Sequence, residues 1–316
     1  MNPNKISGKS NCPYCGKSAT LLFSVPDINQ NMSDEIFDYY RCHGCGLIYL
    51  DPIPANIHDY YGQAYSAYQT AGDIENNVTD YDLNKLEIVR QHIKGKTLLE
   101  IGPGSGTFAY LAKREGYIVD TIEMDSKCSQ FLAETIKVRN SINNSDIVEA
   151  LGHIGERYDA IVMWHVLEHL ETPWNVLSAL PNVLAPNGVA IIAVPNPGAF
   201  QFKLFRKYWK HVDAPRHTMF LPANLLEKQM VQAGLHKILV TTTDRVSSEF
   251  NSYGWWLHSL HNFFSKNPNR LLAWMLNKRI INSIVYNFVR IVERTDGSGN
   301  AFLAIFKKPG TMKGPD

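Results

Sequence analysis

The sequence predicts an α/β protein with a doubly wound, mainly parallel sheet. Between residues 97 and 245, apolar runs alternate with stretches in which apolar residues have helical spacing. Strands that are separated by helices of this length imply right-handed crossovers, which join parallel strands. A glycine-rich turn directly follows the first apolar run, where open α/β sheets bind their ligands. Together these observations favour a ligand-binding α/β core.

The predicted elements follow one another along this core. The strands are TLLEI, YIVDTIE, YDAIVMW, VAIIAV and HKILVTTT, with NAFLAIFKKP as a last strand. Helices are predicted at 81–93, 106–115, 127–136, 173–184 and 222–233. The chain accordingly divides into a cysteine-bearing module (1–50), a linker or lid (51–80), the core (81–245), a helical insertion or cap (246–295), and the last core strand with a tail (296–316).

Composition narrows the possible functions. The 316 residues carry a net charge of +1 and are 45% hydrophobic, as expected of a globular protein with a sizeable core. This balance argues against a large basic surface, so we expect no nucleic acid partner. No apolar run is long enough to cross a bilayer, and the N-terminus lacks the apolar segment of a signal peptide. We therefore expect a cytoplasmic protein.

The glycine-rich turn has the pattern Gly102-x-Gly104-x-Gly106 and is preceded by Glu100. It is not a dinucleotide fingerprint, because the third glycine comes one residue early, and it is not a P-loop, because Gly-Lys-Ser/Thr is absent. A carboxylate beside the turn would repel a phosphate but suits a ligand with an ammonium group. Glu123, at the end of the next predicted strand, fits the two hydroxyls of a ribose. The pattern predicts a ribose-bearing ligand with a cationic end.

These residues resemble the S-adenosylmethionine site of class I methyltransferases. The stretches RYDAIVMWHVLEHLETP and LAPNGVAIIAVPN are similar to the fourth and fifth strand regions of that family. KHVDAPRHTMFLPANLLEKQMVQAGL resembles the following segment in a subgroup that acts on small molecules and sugars. The resemblance implies a Rossmann-like, mainly parallel seven-stranded sheet and S-adenosylmethionine as cofactor. A Rossmann-like dehydrogenase with a variant turn is the alternative.

The resemblance also implies roles for individual residues. The turn from Gly102 to Gly106 would pass under the methionine part of the cofactor. The other contacts follow the strand ends: Glu100 at the amino group, Glu123 at the ribose, Met124 and Asn144 at the adenine, and Trp164 and His165 beside the sulfonium. Asn143 and Asp146 are alternatives to Asn144, because no clear motif marks the side chain at the adenine amine.

Methyl transfer to oxygen or carbon needs a base near neutral pH, and histidine suits that role. In the sugar methyltransferases that the chain resembles, a histidine at the position of His217 is proposed as the base. His217 is therefore our first candidate and His165 our second, with a purely structural histidine as the alternative. Predicted substrate contacts are Tyr65, Trp209 and Arg216.

The stretch His165-Val-Leu-Glu168-His169 allows a further interpretation. Some quinone-precursor and RNA-end methyltransferases carry Glu-x-x-Glu-His there and bind a divalent ion. His, Glu and His can ligate a transition metal. Replacement of the first glutamate by His165 disfavours magnesium, which prefers oxygen ligands. We favour the alternative, in which Glu168 and His169 anchor the start of a helix.

Four cysteines precede the core, in the pairs Cys12-Pro-Tyr-Cys15 and Cys42-His-Gly-Cys45, and a hairpin can occupy the gap between the pairs. Two such pairs supply four thiolates for a tetrahedral structural zinc ion. Disulfides or a redox pair are the alternative. With four cations and four acids, residues 1–50 lack the basic stripe that phosphate binding needs. We expect a zinc ribbon-like module that closes one side of the substrate pocket.

Residues 246–295 contain two strongly apolar stretches with helical spacing, 254–264 and 270–292. We expect them to form a helical cap on the pocket or a homodimer surface. The alternative is an amphipathic helix on a membrane surface, which would serve a lipid-linked substrate.

As a whole, the sequence predicts a cytoplasmic S-adenosylmethionine-dependent methyltransferase. Its acceptor is expected to be a small molecule, namely a sugar, a sugar nucleotide or a glycan precursor, methylated on carbon or oxygen. Two alternatives remain open. One is an RNA base methyltransferase with a zinc recognition module, and the other is a non-catalytic protein that binds the cofactor and pairs with an active partner.

Overall fold

The computed structural model describes residues 9–61, 71–265 and 279–310. Its strands form two sheets: β1 (Lys9–Asn11), β2 (Ser18–Val25), β3 (Phe37–Cys42), β4 (Ile48–Leu50) and β10 (Met219–Phe220) in the first, and β5 (Thr97–Ile101), β6 (Ile118–Glu123), β7 (Asn140–Asn143), β8 (Tyr158–Trp164), β9 (Leu184–Pro195), β11 (His236–Thr241) and β12 (Ala301–Lys307) in the second. The α-helices are α1 (Ala71–Asn77), α2 (Asp80–His92), α3 (Thr107–Arg114), α4 (Ser126–Phe131), α5 (Ile147–His153), α6 (Pro173–Val183), α7 (Phe200–Phe205), α8 (Ala223–Gln232), α9 (Arg245–Ser248), α10 (Tyr253–Ser265) and α11 (Arg279–Glu293).

The second sheet has seven strands in the order β11-β12-β9-β8-β5-β6-β7. Strands β5 to β9 are parallel, whereas β12 runs antiparallel to both β9 and β11. The predicted Rossmann-like, mainly parallel seven-stranded sheet is confirmed. The strand order reverses between β5 and β8. The carboxyl ends of these two strands therefore meet at the switch point where such sheets bind ligands.

Burial on both faces explains why the central strands are continuous apolar runs. On β8, Ile161 and Met163 pack in a cluster with α6 and α8, while Ala160 and Val162 pack in a cluster with α2 and α3. A parallel strand that is covered on both sides needs apolar residues at every position. By contrast, β7 has the polar sequence NSIN at the edge of the sheet, and it was not predicted.

The first sheet is antiparallel throughout, in the order β1-β2-β3-β4-β10. The hairpin expected between the cysteine pairs is formed by β2 and β3. The last strand, β10, comes from the core segment of the chain, where Met219 pairs with Tyr49 and Phe220 pairs with Ile48. Strand pairing thus joins the cysteine-bearing segment directly to the core.

A buried guanidinium connects the same two parts of the protein. Arg216 has no solvent exposure, and all five of its N–H donors are bound. Nη1 and Nη2 donate to both carboxylate oxygens of Asp27, at 3.0 and 2.6 Å. Nε and Nη2 donate to both oxygens of Asp213, each at 2.8 Å, and Nη1 also donates to the carbonyl of Tyr60 at 3.1 Å. We call this arrangement the Arg216 clamp.

The insertion before the last strand is helical in its described part. Helices α10 and α11 pack together through Trp256, whose Nε1 donates to Oδ1 of Asn282 at 2.8 Å. At the end of α11, Glu293 accepts a 2.7 Å hydrogen bond from Nε2 of Gln201 on α7. Part of the predicted insertion, residues 266–278, lies outside the described residues. The contacts of α10 and α11 attach the insertion to the core beside β12.

Arg216→Met is expected to lower the free energy of unfolding by about 3–5 kcal/mol, because it leaves two carboxylates buried without their cation. Denaturant unfolding followed by circular dichroism measures this loss. Arg90→Met is the matched control, since Arg90 makes a 2.7 Å ion pair with Glu115 on the surface, and its removal should leave the unfolding midpoint nearly unchanged. Equal midpoints for the Arg216→Met protein and the wild type would contradict the clamp.

Candidate active site

The glycine-rich turn leaves the carboxyl end of β5 and leads into α3. Its three glycines have positive φ, of 68° at Gly102, 55° at Gly104 and 77° at Gly106. A Cβ at Gly102 would come within 2.7 Å of Val166, whereas one at Gly104 would meet no atom within 4 Å. Gly102 therefore allows close packing, and Gly104 faces open space. The backbone at Gly104 is a surface on which a ligand can lie.

Glu123 is the last residue of β6, and its carboxylate is hydrogen-bonded to this turn. Its Oε2 accepts a hydrogen bond from the backbone N–H of Gly104 at 3.1 Å, and its Oε1 accepts one from that of Asp125 at 2.9 Å. Glu123 is buried, and burial raises the pKa of its carboxyl above the ordinary value. Each carboxylate oxygen keeps a second lone pair. Glu123 can thus accept hydrogen bonds from ligand hydroxyls beside Gly104.

Glu100 and Lys85 lie close enough to interact electrostatically near the same strand end. Glu100 is buried, and its Oε2 has no hydrogen-bond partner. Burial raises the pKa of Glu100 to about 8, even though the charge of Lys85 opposes this shift. Nζ of Lys85 lies 3.4 Å from Oδ1 of Asp82 and 4.1 Å from the centre of the Tyr81 ring. The pair suits a ligand that carries both an ammonium and a carboxylate group. Lys85 was not predicted, since one lysine on a helix is no signal.

Met124, one of the two residues predicted at the adenine, borders a cleft, whereas Asn144 does not. This cleft has a volume of about 370 Å³, and its lining includes Met124, Asp146, Tyr61 and His169. The side chain of Met124 is half exposed. Of the three candidates for the adenine amine, Asp146 lines this cleft. Asn143 instead donates to the carbonyls of Glu123 and Met124, at 2.9 and 3.0 Å, and Asn144 donates to Oε2 of Glu149 at 3.1 Å.

Trp164 and His165 stand at the end of β8, as the resemblance implied. The Trp164 ring packs on Phe108 with ring centres 5.5 Å apart, and its Nε1 has no partner. His165 has a left-handed backbone with φ of 59°, which is costly for a residue with a Cβ. Its Nδ1 lies 3.0 Å from Oε1 of Glu168, while its Nε2 has no partner. Burial favours the neutral form of Glu168, but the hydrogen bond from His165 lowers the pKa of its carboxyl overall.

Glu168, His169 and His217 form a compact group, which we call the histidine cluster. One nitrogen or oxygen ligand atom from each side chain lies within 4.8 Å of the others. Nδ1 of His217 is 2.7 Å from the carbonyl of His211, and Nδ1 of His169 is 3.1 Å from the carbonyl of Arg216. Because a carbonyl only accepts hydrogen bonds, each Nδ1 carries a proton and each Nε2 offers a lone pair. Such a group can accept a proton or ligate a transition metal.

The protonation of His169 and its contact with Tyr61 further characterise this cluster. Burial, followed by the charge of His217, lowers the pKa of His169 to about 4, so this imidazole is neutral near pH 7. The hydroxyl of Tyr61 lies 3.2 Å from Nδ1 of His169. Tyr61 belongs to the predicted linker, which therefore reaches the cluster. His165 bonds to Glu168 but lies outside the group of three.

An aromatic wall lies beside the cluster, made of Phe250 and Trp255 from the helical insertion and His211 from the core segment. His211 stacks on Trp255 with ring centres 4.4 Å apart, and Phe250 packs on His165 at the same distance. Nζ of Lys210 lies 3.9 Å from the centre of the Trp255 ring. Burial lowers the pKa of His211 well below its ordinary value, so the wall is uncharged. The sequence indicates an apolar cap but not which of its rings face the cluster.

The three predicted substrate contacts have other surroundings in the structure. Trp209 is buried, and its Nε1 donates to Oδ1 of Asn300 at 2.8 Å. Arg216 is buried in the clamp, where two carboxylates and a carbonyl use all of its donors. In this structure both side chains therefore hold the protein together and do not face a ligand. Tyr65 lies outside the described residues.

The four cysteines form a second cluster at the end of the first sheet. The distances between sulfur atoms are 3.4 Å for Cys15 and Cys42, and 3.7 Å for Cys45 with both Cys12 and Cys15. These distances exceed the about 2.05 Å of a disulfide. They approach the about 3.8 Å edge of a tetrahedron with zinc–sulfur bonds of about 2.3 Å. The donor set thus fits a tetrahedral zinc ion.

The backbone of the second cysteine pair favours the thiolate form of Cys42. The N–H groups of Gly44 and Cys45 donate to Sγ of Cys42, at 3.2 and 3.5 Å. Burial opposes ionisation of Cys42, but these two N–H groups lower the pKa of the thiol to about 7. Zinc binds the thiolate form, so this pair favours the ligand that a metal needs.

The fold and this site together define a methyltransferase-like α/β enzyme. Its marks are the antiparallel last strand of the chain, the glycine turn after β5 and the acid that ends β6. Residues 76–240, more than half of the chain, match the family model described as a methyltransferase domain, and the chain belongs to that family. The protein is therefore an S-adenosylmethionine-dependent methyltransferase.

Known proteins resemble the chain at low identity. The ubiquinone biosynthesis O-methyltransferases of Cereibacter sphaeroides and Psychrobacter arcticus are 29% and 27% identical over 175 and 154 residues. These alignments cover 51% and 45% of this chain, and 67% and 60% of the two relatives. The crystal structure of a SAM dependent methyltransferase from Archaeoglobus fulgidus is 19% identical, with a TM-score of 0.48, and the match covers 72% of this chain and 94% of that chain.

Proposed function

We propose that the protein transfers a methyl group from S-adenosylmethionine to a hydroxyl oxygen of a small-molecule acceptor. One observation carries this function. A single cleft is bordered by Met124, which follows the acid of β6, and by His169 of the histidine cluster. A cofactor held by the acids would therefore border the same cleft as the histidine cluster, whose His217 can take a proton from an acceptor.

The side chains at the strand ends fit this cofactor. Glu100 and Lys85 present an acidic and a basic side chain, which in their ionised forms complement the two charges of an amino acid. Glu123 presents carboxylate oxygens to ribose hydroxyls beside the open backbone of Gly104. Met124 offers a half-exposed apolar side chain to the adenine. When bound, the cofactor supplies an electrophilic methyl group.

On the acceptor side, the chain supplies a base. The hydrogen bond from Nδ1 of His217 to the carbonyl of His211 leaves Nε2 free to take a proton. Proton transfer from an acceptor hydroxyl would make His217 an imidazolium, which the carboxylate of Glu168 stabilises. The neutral imidazole of His169 accepts a hydrogen bond and can orient the hydroxyl. A hydroxyl needs such a base because it is a weak nucleophile while protonated.

For the acceptor we propose a sugar, a sugar nucleotide or a glycan precursor. The resemblance of the segment around His217 to sugar methyltransferases supports this class. Neutral imidazoles and the aromatic wall also suit a ring that is rich in hydroxyls. The relatives named O-methyltransferases of ubiquinone biosynthesis support oxygen as the acceptor atom and make a phenol the competing acceptor. Release of S-adenosylhomocysteine with a panel of both classes separates them, and methylation of phenols alone would contradict the sugar.

We also propose that the cysteine cluster holds a structural zinc ion. Purified protein is then expected to contain one zinc ion per chain by elemental analysis, because four thiolates form a closed site. Cys15→Ser and Cys42→Ser should lose this zinc and unfold at a lower temperature. Cys128→Ala, which changes a cysteine on α4 instead, should keep it. Wild-type protein without zinc, or Cys42→Ser protein with a full complement, would contradict the site.

The affinity for S-adenosylhomocysteine is expected to rise with pH toward about 8. In the unliganded protein burial raises the pKa of Glu100 to about 8, so a proton stays on it near neutral pH. The ligand ammonium favours the ionised carboxylate, so binding releases this proton and strengthens by up to about tenfold per pH unit below the pKa. Calorimetric titration over this range measures the slope.

Glu100→Gln is the matched control for this pH dependence. It should weaken binding by about tenfold or more, as expected for loss of a charged hydrogen bond of about 1.5–3 kcal/mol. It should also remove the dependence on pH, because the amide does not titrate. The same slope in wild type and Glu100→Gln would assign the proton to another group.

His217→Ala is expected to lower kcat by about 100- to 10,000-fold, the usual contribution of a general base. The affinity for S-adenosylhomocysteine should not change, because His217 lies on the acceptor side. His236→Ala is the control, since His236 is exposed on β11 and should have no effect. Steady-state kinetics and calorimetry measure both quantities.

Dialysis against a chelator, together with His217→Ala, distinguishes a base from a metal ligand. A base requires no added ion, so wild-type activity should survive dialysis against a chelator that leaves the cysteine cluster loaded. Activity that disappears on dialysis and returns with a divalent cation would instead make Glu168, His169 and His217 ligands. Unchanged kcat in His217→Ala would contradict both roles.

A further inference from the structure

Helix α11 has apolar side chains on two opposite sides. One side is buried against the core and contains the apolar Val289 together with the acid Glu293. The other contains Ile284, Phe288 and Ile291, which are 64%, 61% and 66% exposed. The spacing i, i+4 and i+7 places these three on one stripe. They are the three most exposed large apolar side chains in the described part of the chain, and we call them the α11 stripe.

The surroundings of this stripe are basic. Arg290 and Arg294 are exposed beside it. The acid of α11, Glu293, is buried and bonded to Gln201, so it does not offset these charges at the surface. In the sequence, residues 250–292 contain five lysines and arginines and no aspartate or glutamate. This imbalance is local, since the whole chain has 31 basic and 30 acidic residues.

We propose that the cap binds the surface of an anionic phospholipid bilayer through the α11 stripe. The three apolar side chains would enter the boundary between headgroups and acyl chains, while Arg290 and Arg294 contact the phosphates. An exposed apolar stripe with a basic border is the combination that such binding requires. Within residues 9–61, 71–265 and 279–310, no helix combines the length and apolar content needed to cross a bilayer, so the helix lies on the surface.

Charge favours a bilayer over a second copy of the chain. In a symmetric dimer the same patch meets itself, so the two basic borders that contain Arg290 and Arg294 would face each other. Like charges at an interface are unfavourable, whereas anionic lipid headgroups complement them. Three side chains on one helix also cover little area compared with the roughly 800 Å² that each partner of a stable complex buries.

The packing of the cap links this surface to the candidate active site. Helix α11 contacts α10 through Asn282 and Trp256, and through the rings of Tyr286 and Tyr253, which are 4.7 Å apart. The same α10 carries Trp255 of the aromatic wall. A bilayer under α11 would therefore lie on the cap side of the histidine cluster, where an acceptor with an apolar tail can arrive. Bilayer binding itself does not depend on the proposed methyl transfer.

Co-sedimentation with lipid vesicles tests this inference. The wild-type protein is expected to sediment with vesicles of phosphatidylcholine and phosphatidylglycerol, and much less with phosphatidylcholine alone. Ile284→Ser combined with Phe288→Ser and Ile291→Ser should lower the partition coefficient on anionic vesicles by about tenfold or more. Arg290→Glu with Arg294→Glu should lower it as well, and added salt should weaken the wild type.

A second triple variant is the matched control, with serine at three exposed apolar positions on different segments: Ile36 before β3, Val231 on α8 and Ile238 on β11. It removes similar exposed area and should bind vesicles like the wild type. Circular dichroism and the thermal midpoint show that each variant folds. Three outcomes would overturn the inference: no sedimentation of the wild type with anionic vesicles, equal loss in both triple variants, or a dimer in light scattering that only the α11 variant breaks while no vesicles bind.

Discussion

The fold of this protein depends on one buried guanidinium. Arg216 binds Asp27 in the connection between β2 and β3, Asp213 in its own loop, and the carbonyl of Tyr60 in the linker. Taking these charges out of water is costly, and the cost is recovered only when every donor and acceptor is satisfied. The clamp meets this condition only with all three segments in position. The cysteine-bearing sheet, the linker and the loop before β10 therefore depend on one another.

The loop that the clamp holds also determines which ring nitrogens of the histidine cluster carry a proton. The carbonyl of Arg216 accepts from Nδ1 of His169, and the carbonyl of His211 accepts from Nδ1 of His217. The carbonyl of His217 in turn accepts a 2.8 Å hydrogen bond from the hydroxyl of Tyr39 on β3. These backbone groups decide which ring nitrogen carries the proton. The lone pairs that make the cluster a base or a metal site thus follow from the loop conformation.

Local patterns in the sequence predicted most of the core, and long-range contacts explain what they missed. YDAIVMW predicted β8 because a strand covered on both faces is apolar throughout, while the polar β7 and the two-residue β10 have no such pattern. The glycine turn and the cysteine pairs are also local, so their spacing was sufficient to predict a turn after β5 and a cluster of four thiols. The clamp joins Arg216 to Asp27, 189 positions away, and no local feature separates a buried arginine from one that binds a ligand. The approach of Lys85 to Glu100 depends on tertiary packing in the same way.

Buried polar atoms without a hydrogen-bond partner lower the stability of the unliganded protein. Among the described residues, nine buried side-chain polar atoms have no hydrogen-bond partner, and five of them belong to Glu100, Trp164, His165, Glu168 and His211. Each such atom costs about 1–3 kcal/mol. Unpartnered polar atoms that are concentrated at one site are expected where a bound ligand forms the missing hydrogen bonds. A bound cofactor and acceptor would supply the missing partners, so the recovered free energy contributes to binding and orientation instead of to the stability of the unliganded fold.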